Sequence, residues 1–456
     1  MRRLTPYLLL LVALVAFWQV GRRQAPLVQA RRDFHISKGE PLANSPPLVA
    51  FTTVALGGFR GILADVLWLR SSQLQEEGKY FELVQLADWI TKLQPRLAQV
   101  WAFHGWNMAY NISVLFNDPV DRWRWVRQGI TLLRDQGLAY NPGEPNLYRE
   151  LGWIYQHKLA GNSDQMNIYY KRWWAEEMAA LFEGPRPDYA HLPAETAARM
   201  KSVYKLDPAI MEQVDREFGP LDWRMPQAHA LYWAWRGKPF ATGFEVVQLD
   251  RMIFQSMADA ALEGALFSNP AEEVFIPGPN LAIFAKARRA YEQAVAANPN
   301  ESSMHSAHRN FLRTALMILY THHRVAEARD ILADLRRRYP APEYGQDLDE
   351  YVYRQLTEFM TDIGQREAVA MVGGALQQSW FWLAMGDDER AQGFQQLART
   401  TWREYMKTRT DPEMAKRSGL PPFEELSNQA RAAIRANLHT TDAQQRLTIP
   451  PTTPPP

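Results

Sequence analysis

The chain has 456 residues, a formal charge of +1, 46% apolar side chains and 22% charged ones. These proportions belong to a folded protein, and the near-neutral balance gives no electrostatic reason to bind nucleic acid. With no cysteine in the chain, disulfides, thiolate metal sites and cysteine nucleophiles are excluded together.

Residues 4–20 read LTPYLLLLVALVAFWQV, between Arg2 and Arg3 on one side and Arg22 and Arg23 on the other. As a helix, seventeen residues rise ~25 Å, the short end of what crosses a bilayer, and Trp18 sits where an interfacial ring belongs. The best signal-cleavage site, Val28-Gln29-Ala30, lies ten residues past the apolar run and behind two arginines, so residues 1–23 read as an uncleaved anchor rather than a cleaved signal. A short basic N-terminus before an apolar run directs export, placing the large domain in a bacterial periplasm on a single-pass inner-membrane anchor. The arginines downstream, Arg22, Arg23, Arg31 and Arg32, argue for the opposite orientation.

Residues 24–47, with Pro26, Gly39, Pro41, Pro46 and Pro47, read as a linker. The next apolar stretch, 48–69, contains Arg60, Asp65 and three glycines. Two charges in mid-bilayer are expensive, so it reads as an amphipathic first element of the large domain or a segment lying on the membrane surface.

A repeating pattern then begins. Leu83, Ala87, Ile90 and Pro95 are spaced 4, 3 and 5 apart, as are Ala287, Tyr291, Ala294 and Pro299, and Ala328, Leu332, Leu335 and Pro340. Steps of 4 and 3 keep the first three residues on one helical stripe, and the proline stops the helix. This is the second-helix signature of a tetratricopeptide-like repeat. First-helix signatures are Tyr148, Leu151, Gly152 and Tyr155; Trp101, His104, Gly105 and Met108; and, more weakly, Leu67, Arg70, Ser71 and Leu74. Leu67 to Trp101 spans 34 positions, the standard period, whereas Trp101 to Tyr148 spans 47. Gly152 stands where paired helices should cross closely.

Repeats are therefore expected over 48–183 and again over 281–410, separated by a Pro-punctuated helical insertion over 184–280. Residues 411–456, ending in PPTTPPP, read as a mobile tail. No strand-length alternation with hairpin turn chemistry is evident, so the chain is expected to be all-α: a solenoid of antiparallel helix pairs with irregular repeat lengths.

The segments GGFRGILADVLWLR (57–70) and YFELVQLADWITKLQPR (80–96), followed by the Trp101 helix, resemble a group of bacterial membrane-anchored tetratricopeptide-repeat proteins. In that group an anchor precedes an Ala-Asp-x-Leu-Trp helix, here Ala64, Asp65, Leu67 and Trp68. The resemblance covers roughly residues 50–160 and implies an interaction protein without assigning functional residues.

The chemistry-bearing clusters are sparse. His305, His308, His322 and His323 follow Glu301, but adjacent helical histidines point about 100° apart and seldom share an ion, so no metal or cofactor is expected. His104, Tyr148, Glu150 and His157 fall largely on packing positions of the repeat, which argues against catalysis. Asp222, Trp223, Arg224 and His229 form the most unusual polar cluster. It reads as a partner site or as a buried salt bridge, with Asp222 capping a helix that begins near Pro226. Twelve of sixteen tryptophans lie between Trp68 and Trp235. The close pairs Trp123 with Trp125 and Trp173 with Trp174 cannot all face one core stripe, so some must reach a surface. The function expected is a membrane-anchored scaffold whose Trp-rich face binds other envelope proteins. Alternatives are a glycan- or lipid-binding protein using exposed Trp pairs, or an enzyme with its site in 184–240.

Overall fold

A computed structural model describes residues 59–358, 363–407, 409 and 418–448, with isolated helical positions between 13 and 29. The anchor expected over 4–20 therefore lies largely outside the described residues. Among those described, no helix is long and apolar enough to cross a membrane. Positions 26 and 29, inside the stretch read as a linker, are helical, Pro26 being the only breaker before Gly39. The described chain is 78% helix, so its construction is all-α.

Two compact units are present, residues 1–104 with 139–142, and 105–138 with 143–456. The division falls inside the block read as continuous repeats over 48–183. In the first unit, α1 (Phe59–Glu76) and α2 (Tyr80–Leu93) pack as a pair. Ala64, Ile90 and Val100 form its core, with Leu67 and Trp68 packed against them. Trp101, at the start of α3 (Ala98–Trp106), donates from its indole N–H to the Pro95 carbonyl at 2.8 Å.

In the second unit the helices are α4 (Pro119–Thr131), α5 (Pro145–Trp153), α6 (Asn167–Phe182), α7 (Ala194–Arg199), α8 (Pro208–Phe218), α9 (Pro226–Gly237) and α10 (Phe244–Glu263). After a hairpin come α11 (Phe284–Ala297), α12 (Ser302–Thr321), α13 (Val325–Arg338), α14 (Leu348–Thr357), α15 (Gln365–Ala384), α16 (Asp388–Lys407), α17 (Phe423–Asn437) and α18 (Thr441–Arg446). Each helix carrying the 4-3-5 pattern, α2, α11 and α13, stops two residues before its proline.

Three pairs, α1/α2, α12/α13 and α15/α16, share one turn. A left-handed residue follows the first helix: Gly78, His323 or Gly386. The next amide then reaches back to the carbonyl five residues earlier: Lys79 to Leu74, Arg324 to Leu319 and Asp387 to Trp382, at 2.8 to 2.9 Å. This double-bonded cap satisfies carbonyls that a helix end leaves open. It recurs although only two of the three left-handed residues are glycine.

The stretch read as an insertion is instead central. α9 is apolar on nearly every side, from Ala228 through Ala234, and packs against α5 and α10. A helix without a polar face must be enclosed. The hairpin, absent from the expectation, pairs β1 (Ala265–Asn269) antiparallel with β2 (Val274–Gly278), Phe267 opposite Ile276. Its strands are five residues each, with Pro270 and Pro277 nearby, too short and interrupted for alternation to be visible.

The tail read as mobile contains α17 and α18. Leu426 and Ala430 of α17 are buried, and Trp380 donates to the Ser427 hydroxyl at 3.2 Å. The Glu272 carboxylate at the hairpin tip accepts the His439 and Thr440 amides at 2.9 and 2.8 Å. The apolar spacing of Phe423, Leu426 and Ala430 is that of a packed helix, which the terminal prolines obscured.

Candidate functional site

The tryptophan pairs divide between core and surface. Asp118 caps α4 by accepting the Val120 and Asp121 amides at 2.8 and 3.1 Å, with Pro119 in the first turn. Residues two apart on a helix point about 200° from each other. Trp123 accordingly turns in, 8% exposed and stacked at 5.8 Å on Tyr170 of α6, whereas Trp125 stays half-exposed beside Phe116 at 6.3 Å. On α6, Trp174 is buried between Tyr155 and His229, with ring centroids at 5.1 and 4.8 Å. Trp173 remains half-exposed, 5.7 Å from Tyr169 and 6.3 Å from Trp123. Exposed Val114, Leu115, Val120, Ile168 and Tyr169 lie on the same two helices and the turns that enter them.

A buried ionic knot holds those turns. The Arg122 Nε–H donates to the Phe116 carbonyl at 2.5 Å, and its guanidinium reaches Asp164 at 3.3 Å. Asp164 also accepts Lys158 Nζ at 2.5 Å and the Met166 amide at 2.8 Å, fixing the entry to α6. Burial opposes a charge on Asp164, yet the Lys158 bond, the amide and Arg122 outweigh it and hold its carboxyl below the ordinary range. Burial likewise pushes the Lys158 ammonium down, against the pull of Asp164. Removing one member of such a knot strands a charge, so its role is to position the turns.

Sequence reasoning missed the π-helical turns that build this region: Asn107–Ile112 after α3, Leu132–Gly137 after α4, Ile154–Ala160 after α5 and Met200–Tyr204 after α7. The turn after α5 carries Lys158 to Asp164. It also sets His157 against Trp153 and Tyr110, at 4.8 and 5.7 Å. π turns recur at functional sites but leave no residue signature. The 47-residue spacing was the available sign: the extra residues lengthen both helices between Pro95 and Pro142.

The second predicted cluster is a structural lock. Asp222 and Arg224 form a bidentate pair at 2.9 and 2.7 Å, and together they bond both polar atoms of Leu266 in β1. Asp222 does not cap α9, whose N-cap is Met225 without a side-chain bond. Trp223 and His229 are wholly buried, and Arg224 is half-buried. Of the residues read as partner-binding, Trp123, Trp174, Asp222, Trp223 and His229 are thus out of a partner's reach. Burial leaves Trp125 and Trp173 as the surface aromatics. An open cavity of about 960 Å³ is lined by Arg186, Tyr189, Glu212, Asp215 and Arg216. Its Asp215 carboxylate is taken by the Leu221 amide, the Tyr189 hydroxyl and the Trp223 indole at 2.7, 3.0 and 3.3 Å.

His322 bonds the Ile318 carbonyl at 2.7 Å and His323 is the left-handed cap residue of α12. His308 meets the Tyr339 hydroxyl at 2.8 Å. Among the described residues no three His, Asp or Glu side chains converge as a cation site. Tyr148 stacks on Phe240 at 5.7 Å, and Glu150 pairs with Arg149. His104 is buried in the first unit, which pushes its imidazole down to about 4. Compared with protein-family models and with curated proteins, the chain matches none.

Proposed function

We propose that this chain is a membrane-tethered helical-repeat scaffold that docks an apolar segment of another envelope protein. Residues 4–20 are its bilayer anchor, and the large domain stands in the periplasm. The tetratricopeptide-like character is supported by the 4-3-5 pattern and by the cap shared among three helix pairs.

The observation that carries the docking surface is the division of the tryptophan pairs. Trp125 and Trp173 keep accessible ring surface, Trp173 next to exposed Tyr169, and Val114, Leu115, Val120 and Ile168 are exposed on the same helices and the turns that enter them. Large rings on a braced frame bury much area at little entropic cost, which is how interface anchors act. Photo-crosslinking tests the assignment. A benzophenone amino acid at Trp125 or Trp173 of the full chain in native membranes is expected to give one dominant protein adduct that is absent from the exposed control position Gln377. Adducts with sugar or lipid alone, or the same adducts from Gln377, would reject a protein-docking face.

A further inference from the structure

The first helix of the described chain has two apolar faces and covers only one. Ala64, Leu67, Trp68, Ser71 and Leu74 share one side of α1. Ala64, Ser71 and Leu74 are buried there, and Leu67 and Trp68 pack against the unit's core. Phe59, Ile62, Leu63, Val66 and Leu69 fall on the opposite side at helical spacing and are 42 to 76% exposed. The stripe stops at Leu69, and Arg70, Gln73 and Glu77 continue that side with polar groups. Asp65 is exposed along one seam between the two faces, so the outer stripe is a separate apolar face with an environment of its own.

We infer that this stripe rests in the lipid interface of the membrane that residues 4–20 are proposed to enter, making α1 a second, flat-lying membrane contact. The inference deepens the tethered reading and rests on it for the nearness of lipid. Three observations select lipid. The chain carries no charged residue from Pro41 to Phe59, so the approach to α1 brings no charge to the stripe. The 38 residues between Val20 and Phe59 tether α1 to the anchor's end, at most ~130 Å away even if fully extended. The stripe is also small. Five side chains over ~16 Å of helix offer on the order of 500 Å², short of the ~800 Å² per partner of a stable dimer. Interfacial helices need only a buried apolar face at the level of the headgroups. Few basic residues flank the stripe, so the contact depends on apolar insertion more than on anionic lipid.

The absence of cysteine permits a direct test in the full chain. Single cysteines replace Ile62, Val66, Ser72 or Ala13, each is labelled with a nitroxide, and the protein is reconstituted in phosphatidylcholine–phosphatidylglycerol vesicles. Collisions with oxygen, which concentrates in lipid, are compared with collisions with a water-soluble nickel complex. The oxygen-to-nickel ratio at 62 and 66 is expected to be several times that at Ser72, an exposed position on the polar side. Equal ratios at 62, 66 and 72 overturn the inference. Inaccessibility of 62 and 66 to both probes also overturns it, because protein would then cover the stripe. The label at Ala13 reports the anchor separately: an aqueous reading there defeats the anchor assignment whatever α1 does.

Discussion

Two buried histidines make stability depend on pH in a defined direction. His229 lies edge-on to Trp174 and Trp223, and its Nε2 bonds the Trp223 carbonyl at 2.8 Å. Burial pushes its imidazole down to about 4, and His308 is pushed down to about 4 as well. In the unfolded chain both titrate near ~6.5. Below that value the unfolded state takes up protons that the folded state refuses, so stability is full above ~6.5 and drains as pH falls toward about 4. Each group contributes ~1.4 kcal/mol per pH unit, and His104, pushed down to about 4 as well, adds a third such contribution. Urea unfolding midpoints are expected to fall between pH 7 and 5, and His229→Gln is expected to remove ~1.4 kcal/mol per pH unit of that dependence. A midpoint constant over this range would contradict the burial of both rings. The sequence marked His229 as unusual through its aromatic neighbours. It did not reveal how the ring is enclosed, because enclosure depends on Tyr155 and Trp174, 74 and 55 positions away in the chain.

The recurring cap makes its own predictions for the helix pairs. Gly78 has a φ of +71° and no atom within 4 Å of where a Cβ would stand, so Gly78→Ala isolates backbone strain. It is expected to cost ~1–2 kcal/mol. His323 holds the same conformation with a side chain, and His323→Gly is expected to stabilise by up to ~1 kcal/mol. Close approach has a separate signature. A Cβ on Gly393 of α16 would sit on the Thr321 carbonyl, whereas one on Gly373 of α15 meets nothing. Gly393→Ala is expected to lower the melting temperature, at a cost of ~1–3 kcal/mol, while Gly373→Ala is neutral or stabilising by up to ~1 kcal/mol. Equal melting temperatures would reject the crossing of α16 over the α12/α13 turn. Gly152, legible as a crossing residue, meets the Met252 sulfur at 2.7 Å, and that flexible side chain can give way.

At the scale of the whole molecule, local signals and distant ones separate. The 4-3-5 stripes with their prolines named α2, α11 and α13 because everything that makes and ends those helices lies within sixteen residues. The hairpin, the ordered tail and the central place of α9 depend on contacts such as Glu272 with Thr440, across 168 positions, which no periodicity encodes. Glu272→Ala is therefore expected to speed amide exchange and proteolysis over 418–448 while α12 and α13 stay protected. Unchanged exchange there would show that α17 packing alone holds the tail. For the site, spacing alone indicated that the paired tryptophans could not all face one core stripe and that some must reach a surface. Which member turned inward was not legible, since the choice follows from the π turns and the Asp164 knot.

The scaffold account is tested most directly by separating the two members of each pair. Trp125→Ala with Trp173→Ala removes only half-exposed rings, so the doubly substituted full chain is expected to keep its helicity and melting temperature. Truncating interface aromatics commonly costs about 2 kcal/mol or more, so capture of the partner identified by crosslinking should weaken at least ~30-fold. Trp174→Ala, which hollows the core around His229, should instead lower the melting temperature and lose binding only as the fold is lost. If the Trp125/Trp173 double variant melts like the parent chain and still captures the partner with undiminished affinity, the docking face is not where this account places it.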